Sequence, residues 1–247
     1  MANNWGKMGM AGLLGVVLGG LGVSLIGMQG AAAPKSPADR AAIEAIVRDY
    51  ILANPEIIPQ AIERLQGRQV AKAIDANRKA IETPFAGAWA GAADGDVVLV
   101  EYFDYNCGYC RASVKDIDRL LAEDKKLKVV FKELPVLGDA SDEAARVSLA
   151  AARQGKFLPL HRSLYATGSL TSDKITAVWR TAGLDGSKLM ADIRSPEVAR
   201  EIDDNLGVAR ALGISGTPSF VVGDQLLSGA VGYAKLKAAI AAARSGR

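Results

Sequence analysis

The residues of this sequence best suited to chemistry are two cysteines with two residues between them. Cys107 and Cys110 are the only cysteines among the 247 residues, and a helical pattern begins at the pair. Residues three apart in the first turn of a helix lie close enough for a disulfide to form. Unpaired backbone N–H groups and the helix dipole stabilise a thiolate at the first cysteine and lower its pKa. The second cysteine is better shielded and suited to resolving a mixed disulfide, so the spacing indicates thiol–disulfide exchange.

Other uses of the pair fit the composition less well. A zinc site would need ligands from another chain, because this chain has one histidine and no further cysteine. A purely structural disulfide across so short a loop would add little stability. We therefore expect no metal and no organic cofactor, only the redox-active disulfide Cys107–Cys110. A different class remains open, in which the thiols bind copper as soft ligands or the protein acts as a thiol chaperone.

Two features away from the cysteines support exchange chemistry. Glu101 lies six residues before Cys107 inside the apolar run 97–103. A buried carboxylate is costly, and accepting a proton from the resolving cysteine would give it a role; an acid facing water at a strand end is the alternative. Pro218 comes just before an apolar strand, where a proline either opens the strand or follows a cis bond.

The elements that position these residues follow an α/β order. The run 97–103 predicts a central strand, followed by a helix from the cysteines to about Glu123 and a second strand over 127–134. A strand–helix–strand unit makes these two strands parallel. A helical block follows, in which Ser141 is the expected N-cap of its first helix. Gly223-Asp224 predicts a tight hairpin before the final helix.

The motifs YFDYNCGYC (102–110) and GTPSF (216–220) resemble the DsbA-like family of bacterial periplasmic thiol oxidoreductases. The resemblance covers about residues 96–244 and implies a thioredoxin fold with a helical insertion. It implies Cys107 as nucleophile and Cys110 as resolving thiol. It also implies a cis bond between Thr217 and Pro218 beside the disulfide, where substrate backbone docks.

Two further site residues follow from the same resemblance. Glu101 matches the buried acid of the family. Lys132, at the end of the second strand, matches a lysine often found near that acid. An ordinary exposed lysine is the alternative for Lys132.

The sequence departs from the strongly oxidising members of the family, which carry Pro-His between the cysteines. Here the dipeptide is Gly108-Tyr109, so no imidazole adjoins Cys107 and its thiolate should be less favoured. Gly-Tyr with Thr217 before the proline is similar to the periplasmic disulfide isomerases, which act as oligomers. Gly108 and Tyr109 thus join Thr217 and Pro218 as candidate substrate-binding residues. Isomerase or reductase activity is favoured, and a dithiol oxidase without isomerase activity is the alternative.

The N-terminus has the layout of an export segment. Lys7 precedes an uncharged apolar stretch over residues 8–28, and small residues follow at 31–33. Residues 1–33 fit a cleaved signal peptide and a membrane anchor equally well. Either route delivers the rest of the chain to the periplasm, as a soluble protein or as one anchored by residues 8–28.

Residues 37–82 have apolar side chains at helical spacing, interrupted at Asn54-Pro55. The apolar stripe must be covered by the main domain or by another copy, so residues 38–81 are a possible oligomerisation segment. Residues 83–95 predict a linker, and residues 96–245 the thioredoxin-like domain, with its insertion at about 139–212.

Composition restricts the partners. The formal net charge is +3 and no block of lysines and arginines is present, so nucleic acid is not expected. The expected partners are proteins with thiols or disulfides, a membrane redox partner and further copies of this chain. His161, the single histidine, is expected to be a packing or surface residue rather than a catalyst.

Overall fold

The structure is a computed structural model that describes residues 36–246. The predicted export segment, residues 1–33, lies outside the described residues. Among the helices described, none combines the length and the apolar character that a membrane span requires.

The described residues form helices and one mixed sheet in the predicted order. The helices are α1 (Pro37–Ala53), α2 (Ile57–Glu82), α3 (Gly108–Glu123), α4 (Asp139–Ala152), α5 (Phe157–Ala166), α6 (Ser172–Thr181), α7 (Gly186–Asp192), α8 (Pro196–Ala211) and α9 (Tyr233–Ser245). The strands are β1 (Trp89–Gly91), β2 (Val97–Phe103), β3 (Leu127–Glu133), β4 (Ser219–Val222) and β5 (Gln225–Ser228).

The sheet has the strand order β1-β3-β2-β4-β5. β2 and β3 are parallel and connected through α3, which confirms the predicted strand–helix–strand unit. The other pairs are antiparallel, including the β4–β5 hairpin that turns at Gly223 with a φ of 57°. Every residue of β2 except Val98 is buried, as expected for a central strand covered on both faces. This is the thioredoxin fold with a helical insertion that the resemblance implied.

The two faces of the sheet belong to separate apolar cores. The first core joins one face of the sheet to α3, α9 and the insertion helices α4 and α5; its sheet residues include Leu99, Phe103, Phe131 and Phe220. The second core joins the opposite face to α2 and α8 through Val100, Tyr102 and Val130. Successive residues of a strand point to opposite faces, so the odd-numbered residues of β2 and β3 lie on the same side as the cysteines.

The predicted linker at 83–95 is partly wrong. Trp89–Gly91 forms β1, which pairs antiparallel with the edge of β3, and Ala88 and Ala90 are buried. Three residues are too few to show an alternating pattern, so the alanines and glycines of this stretch concealed a short strand.

The N-terminal helical segment is covered only in part. In α2, Ile74 and Ile81 are fully buried in the second core, and Arg78 ion-pairs with Asp224 at 2.6 Å. Earlier in the same helix, Ile62 is 50% exposed. The second half of α2 therefore packs on its own domain, while its first half retains an exposed apolar side.

The helix α1 belongs to a separate unit of the chain, which divides at Pro55. None of its residues is buried. Ile43, Ile46, Val47 and Tyr50 are each at least half exposed. Ser36 caps this helix by accepting a hydrogen bond from the N–H of Asp39. The predicted apolar stripe is thus present on α1, and its side chains are exposed.

Candidate active site

Cys107 is the N-cap residue of α3. Its backbone is extended, and its Sγ accepts a hydrogen bond from the N–H of Cys110 at 3.4 Å. The thiol can in turn donate to the carbonyl oxygen of Thr217, 3.2 Å from Sγ. The predicted position at a helix start is confirmed, and both cysteines are free thiols.

The pKa of Cys107 lies below its ordinary value. Burial by itself would raise this pKa, but hydrogen bonding from the Thr217 side chain and from the backbone N–H groups of Cys110 and Tyr109 outweighs burial. The helix start supplies these N–H donors because the first turn leaves them unpaired. A lower pKa increases the fraction of the nucleophilic thiolate at neutral pH.

The second cysteine has the opposite environment. Cys110 is fully buried, and its pKa is raised well above its ordinary value, first by burial and then by the nearby Glu101 carboxyl group. A thiol held in this way does not compete as a nucleophile until a base removes its proton. The pair is therefore electrostatically asymmetric in the sense that the sequence predicted.

Glu101 is 1% exposed and lies on the same face of the sheet as the cysteines. Burial raises its pKa to about 8, and the charge of Cys107 adds to the shift. A carboxyl group with this pKa can hold or release a proton near neutral pH, as a proton acceptor for Cys110 must. Its predicted burial near the cysteine pair is confirmed.

Replacing Glu101 by glutamine should change the pH dependence of stability. Because the folded pKa of about 8 exceeds the ordinary value of 4.5, the unfolded chain releases this proton first and the wild type loses stability between these pH values. The variant lacks that titration. The unfolding free energy of the variant minus that of the wild type should therefore increase by on the order of 4 kcal/mol from pH 4.5 to pH 8. Urea unfolding at several pH values measures the difference.

A matched control is Glu123→Gln, at an exposed position at the end of α3. Three hydrogen-bonding neighbours, Lys237 foremost, lower the pKa of Glu123 from 4.5 to about 2, so above about pH 5.5 this residue titrates in neither the folded nor the unfolded chain. The stability of this variant should run parallel to that of the wild type. Parallel curves for Glu101→Gln as well would show that Glu101 does not titrate in this range.

The second motif meets the first at the cysteine pair. The Thr217–Pro218 bond is cis, as the sequence predicted. It lies at the start of β4, where Ser219 pairs with Tyr102 of β2. The chain therefore brings residue 217 beside residue 107 through strand pairing, although 110 residues separate them.

The dipeptide between the cysteines faces solvent. Tyr109 is 72% exposed, and a side chain at Gly108 would meet nothing within 4 Å. Packing therefore does not require the Gly-Tyr sequence, and these residues are free to contact a substrate.

Lys132 does not join the site. Its backbone pairs with Tyr102 rather than with Glu101, which places it on the opposite face of the sheet. There its Nζ binds Glu201 of α8 at 3.0 Å, and the lysine is 3% exposed. The prediction that Lys132 lies near the buried acid is thus wrong for this chain. The alternative prediction, an ordinary exposed lysine, is wrong as well.

His161 is a core residue, as expected. It is 2% exposed, stacks against Phe157 and lies 3.0 Å from the Tyr105 hydroxyl through Nδ1. Burial lowers its pKa to about 3, so the ring is neutral. Sequence reasoning missed Asp104, a fully buried acid three residues before Cys107. The position of this acid between an apolar strand and the cysteines was the available signal.

A thioredoxin fold that holds two cysteines at a helix start, beside a cis proline and above a buried acid, defines the class of DsbA-like thiol–disulfide oxidoreductases. Sequence comparison agrees with the geometry. Residues 98–241 match the family described as DSBA-like thioredoxin domain, and the chain belongs to that family. Residues 39–72 separately match the family described as copper resistance protein ScsC N-terminal domain.

Solved structures of similar proteins extend over both parts of the chain. A thioredoxin-like oxidoreductase from Silicibacter pomeroyi is 39% identical, with a TM-score of 0.66, over 68% of this chain and 98% of that one. A linker-deletion mutant of Proteus mirabilis ScsC is 28% identical, with a TM-score of 0.68, and the match covers 87% of this chain and 99% of that one. The thiol–disulfide exchange protein alpha-DsbA2 of Wolbachia pipientis is 25% identical, with a TM-score of 0.67, and the match covers 72% of this chain and 97% of that one.

Curated relatives include a Na(+)/H(+) antiporter NhaA from Herminiimonas arsenicoxydans, 32% identical over 158 residues. The match covers 63% of this chain and 25% of the antiporter. The chain thus spans about a quarter of the length of the curated relatives it matches, and the antiporter name describes those whole proteins.

Proposed function

We propose that this protein exchanges disulfides with polypeptide substrates through a mixed disulfide at Cys107, as an isomerase or reductase rather than a dedicated oxidase. The observation that carries the proposal is the position of Cys107 Sγ, at the start of α3 and 3.2 Å from the Thr217 carbonyl oxygen. This position supports the proposal because it brings the nucleophile next to the backbone at which a substrate chain is expected to dock.

The chemistry follows from the two pKa shifts. The Cys107 thiolate attacks one sulfur of a substrate disulfide and forms a mixed disulfide, and the other substrate sulfur leaves as a thiolate. In reduction, Cys110 gives its proton to Glu101 and attacks Cys107, which releases the substrate thiol and leaves the Cys107–Cys110 disulfide. In isomerisation, a second substrate thiolate attacks instead and regenerates the Cys107 thiolate.

The preference for isomerisation rests on the residues between the cysteines. Gly108 and Tyr109 offer no cation to Cys107, so the thiolate of the reduced enzyme is stabilised only by the Thr217 side chain and the N–H groups of the helix start. A weaker stabilisation of the thiolate makes the reduced enzyme a less favoured product, and the disulfide a weaker oxidant. An enzyme of that kind reduces non-native substrate disulfides readily, and the proposed membrane redox partner restores the dithiol form that isomerisation requires.

Assembly through the N-terminal helices is the second part of the proposal. The apolar side of α1, with Ile43 and Tyr50 at least half exposed, supports a homo-oligomer through residues 38–81. An exposed apolar side of this length is what a helix presents to further copies of itself. Several active sites in one assembly could hold a misfolded client while wrong bonds are opened.

The expected setting is the periplasm, with a membrane protein that restores the redox state of the cysteines. The sequence of residues 1–33 supports this location, and so does the likeness to a periplasmic thioredoxin-like protein from Salmonella enterica serovar Typhimurium. Copper handling is less well supported. Among residues 36–246 no three potential ligands cluster, and a site made of the two thiols alone leaves Glu101 without a role.

Refolding of one secreted protein with several disulfides, prepared in reduced and in scrambled form, tests the proposal. The dithiol protein should speed recovery of the scrambled form several-fold over buffer. The disulfide form should speed oxidation of the reduced chain to a smaller extent. The reverse ranking would favour the dithiol oxidase, and no effect on either substrate would reject exchange with polypeptides.

A further inference from the structure

Asp104 connects the cysteine turn to a loop elsewhere in the chain. The residue is 1% exposed, and its carboxylate accepts hydrogen bonds at both oxygens. Oδ1 accepts from the N–H of Asn106 at 2.8 Å and from the Ser141 hydroxyl at 2.7 Å. Oδ2 accepts from the N–H groups of Val136 and Leu137 at 2.9 and 3.0 Å. The buried carboxylate is thus fully used as an acceptor.

The backbone of Asp104 is part of the cysteine turn itself. Its carbonyl oxygen accepts from the N–H of Cys107 at 3.1 Å. One residue therefore binds the nucleophile through its main chain and the loop after β3 through its side chain. The loop after β3 is thus connected to the cysteine turn through this one residue.

That loop presents apolar side chains to solvent. Val136 is 50% exposed and Leu137 is 52% exposed, while Tyr109, between the cysteines, is 72% exposed. Most loops are polar, so two adjacent half-exposed aliphatic residues beside a reactive thiol need a reason. Contact with a substrate that brings apolar surface to Cys107 is one.

We propose that Asp104 is a positioning residue, which holds Val136 and Leu137 at the rim of the thiol site, where they favour polypeptide substrates with apolar residues beside the disulfide. The inference rests on the proposed function and adds a substrate class to it. The carboxylate is covered by four donors and reaches no substrate; two of the donors belong to the loop and one, the N–H of Asn106, belongs to the cysteine turn.

The test uses single-turnover reduction of two disulfides by excess dithiol protein. One is a synthetic peptide with an internal disulfide flanked by leucines, and the other is bis(2-hydroxyethyl) disulfide. In both reactions the substrate disulfide becomes two thiols and the Cys107–Cys110 dithiol becomes a disulfide. Asp104→Ala should raise the half-saturating concentration for the peptide roughly tenfold, because the loop loses its anchor. Val136→Ser combined with Leu137→Ser keeps the hydrogen bond from Asn106 to Asp104, so in that variant the rate with the small disulfide should stay unchanged.

Ser141→Ala is the matched control, since it removes a donor from Oδ1 and leaves both loop contacts at Oδ2. It should not change the half-saturating concentration for the peptide. Asp104→Asn keeps one oxygen for the two loop N–H groups and should fall between Asp104→Ala and the wild type. Val136→Ser with Leu137→Ser should reproduce the effect of Asp104→Ala, and combining all three changes should add little further.

The outcomes separate the alternatives. Equal losses with both disulfides in Val136→Ser/Leu137→Ser would overturn the proposal, because the loop would then act on the cysteines or on the fold. No change with either disulfide would also overturn it. If Asp104→Ala does not fold, the Val136→Ser/Leu137→Ser variant decides, and unchanged peptide saturation rejects the proposal. Failure of the wild type with the small disulfide would instead reject the proposed exchange activity.

Discussion

Cys107→Ser should abolish disulfide exchange, whereas Cys110→Ser should yield a protein that accumulates in covalent complexes with its substrates. Cys107 has the lowered pKa and lies at the helix start, so it forms the mixed disulfide. Cys110 is fully buried with a raised pKa, so it acts only on the bond that Cys107 has formed. Non-reducing electrophoresis and mass spectrometry of a reaction with a peptide disulfide would show the trapped species.

Alkylation provides an independent measurement of the same asymmetry. In the wild-type dithiol form at neutral pH, iodoacetamide should modify Cys107 more than about a hundredfold faster than Cys110, since each pKa unit is a tenfold difference in thiolate. In the exchange reaction, the variant with both cysteines replaced by serine gives the background rate. Faster labelling of Cys110, or trapping by Cys107→Ser in place of Cys110→Ser, would show that the roles are reversed.

Ile43→Glu combined with Tyr50→Glu should dissociate the proposed oligomer and remove its ability to refold scrambled protein. Both side chains lie on the apolar side of α1 at a spacing of seven residues, and each is at least half exposed. Carboxylates at these positions would be buried without partners in any helix–helix interface, which is strongly unfavourable. Sedimentation should show a fall from a multiple of 25.9 kDa to a single copy.

A control with the same added charge is Ala38→Glu combined with Ala45→Glu. These alanines have the same spacing on the opposite side of α1 and are also exposed. This variant should keep the assembly and the shuffling activity. Both variants should reduce bis(2-hydroxyethyl) disulfide at the wild-type rate, because the cysteine site is unchanged. A wild type that already sediments as a single copy would refute the assembly.

Much of the fold and part of the site could be predicted because their signals are local. The apolar run of β2, the glycine in the β4–β5 turn and the proline before β4 each restrict the backbone within a few residues. Glu101 was found for the same reason, since an acid inside an apolar strand is visible without knowing its neighbours. Its burial then follows from the strand that carries it.

The features that were predicted wrongly depend on pairing between distant segments. Whether Lys132 lies on the same face as Glu101 is decided by the register of β2 against β3, and one residue of register reverses the answer. Ser141 was expected to cap α4, but its hydroxyl donates to Asp104, 37 residues earlier, and Gly138 takes the N-cap position. β1 forms by pairing with the edge of β3, and its own three residues do not indicate that pairing.

Because α2 packs on the sheet, the independently folding unit begins within α2 and not after the predicted linker at 83–95. Ile74 and Ile81 are fully buried against the sheet, on the face shared with Val100 and Val130. A fragment that began at Thr83 would expose that surface to water and lose several kcal/mol, since burying each isoleucine contributes roughly 2 kcal/mol. An autonomous catalytic fragment therefore has to include the second half of α2, and the last turns of the N-terminal helices are part of the catalytic domain.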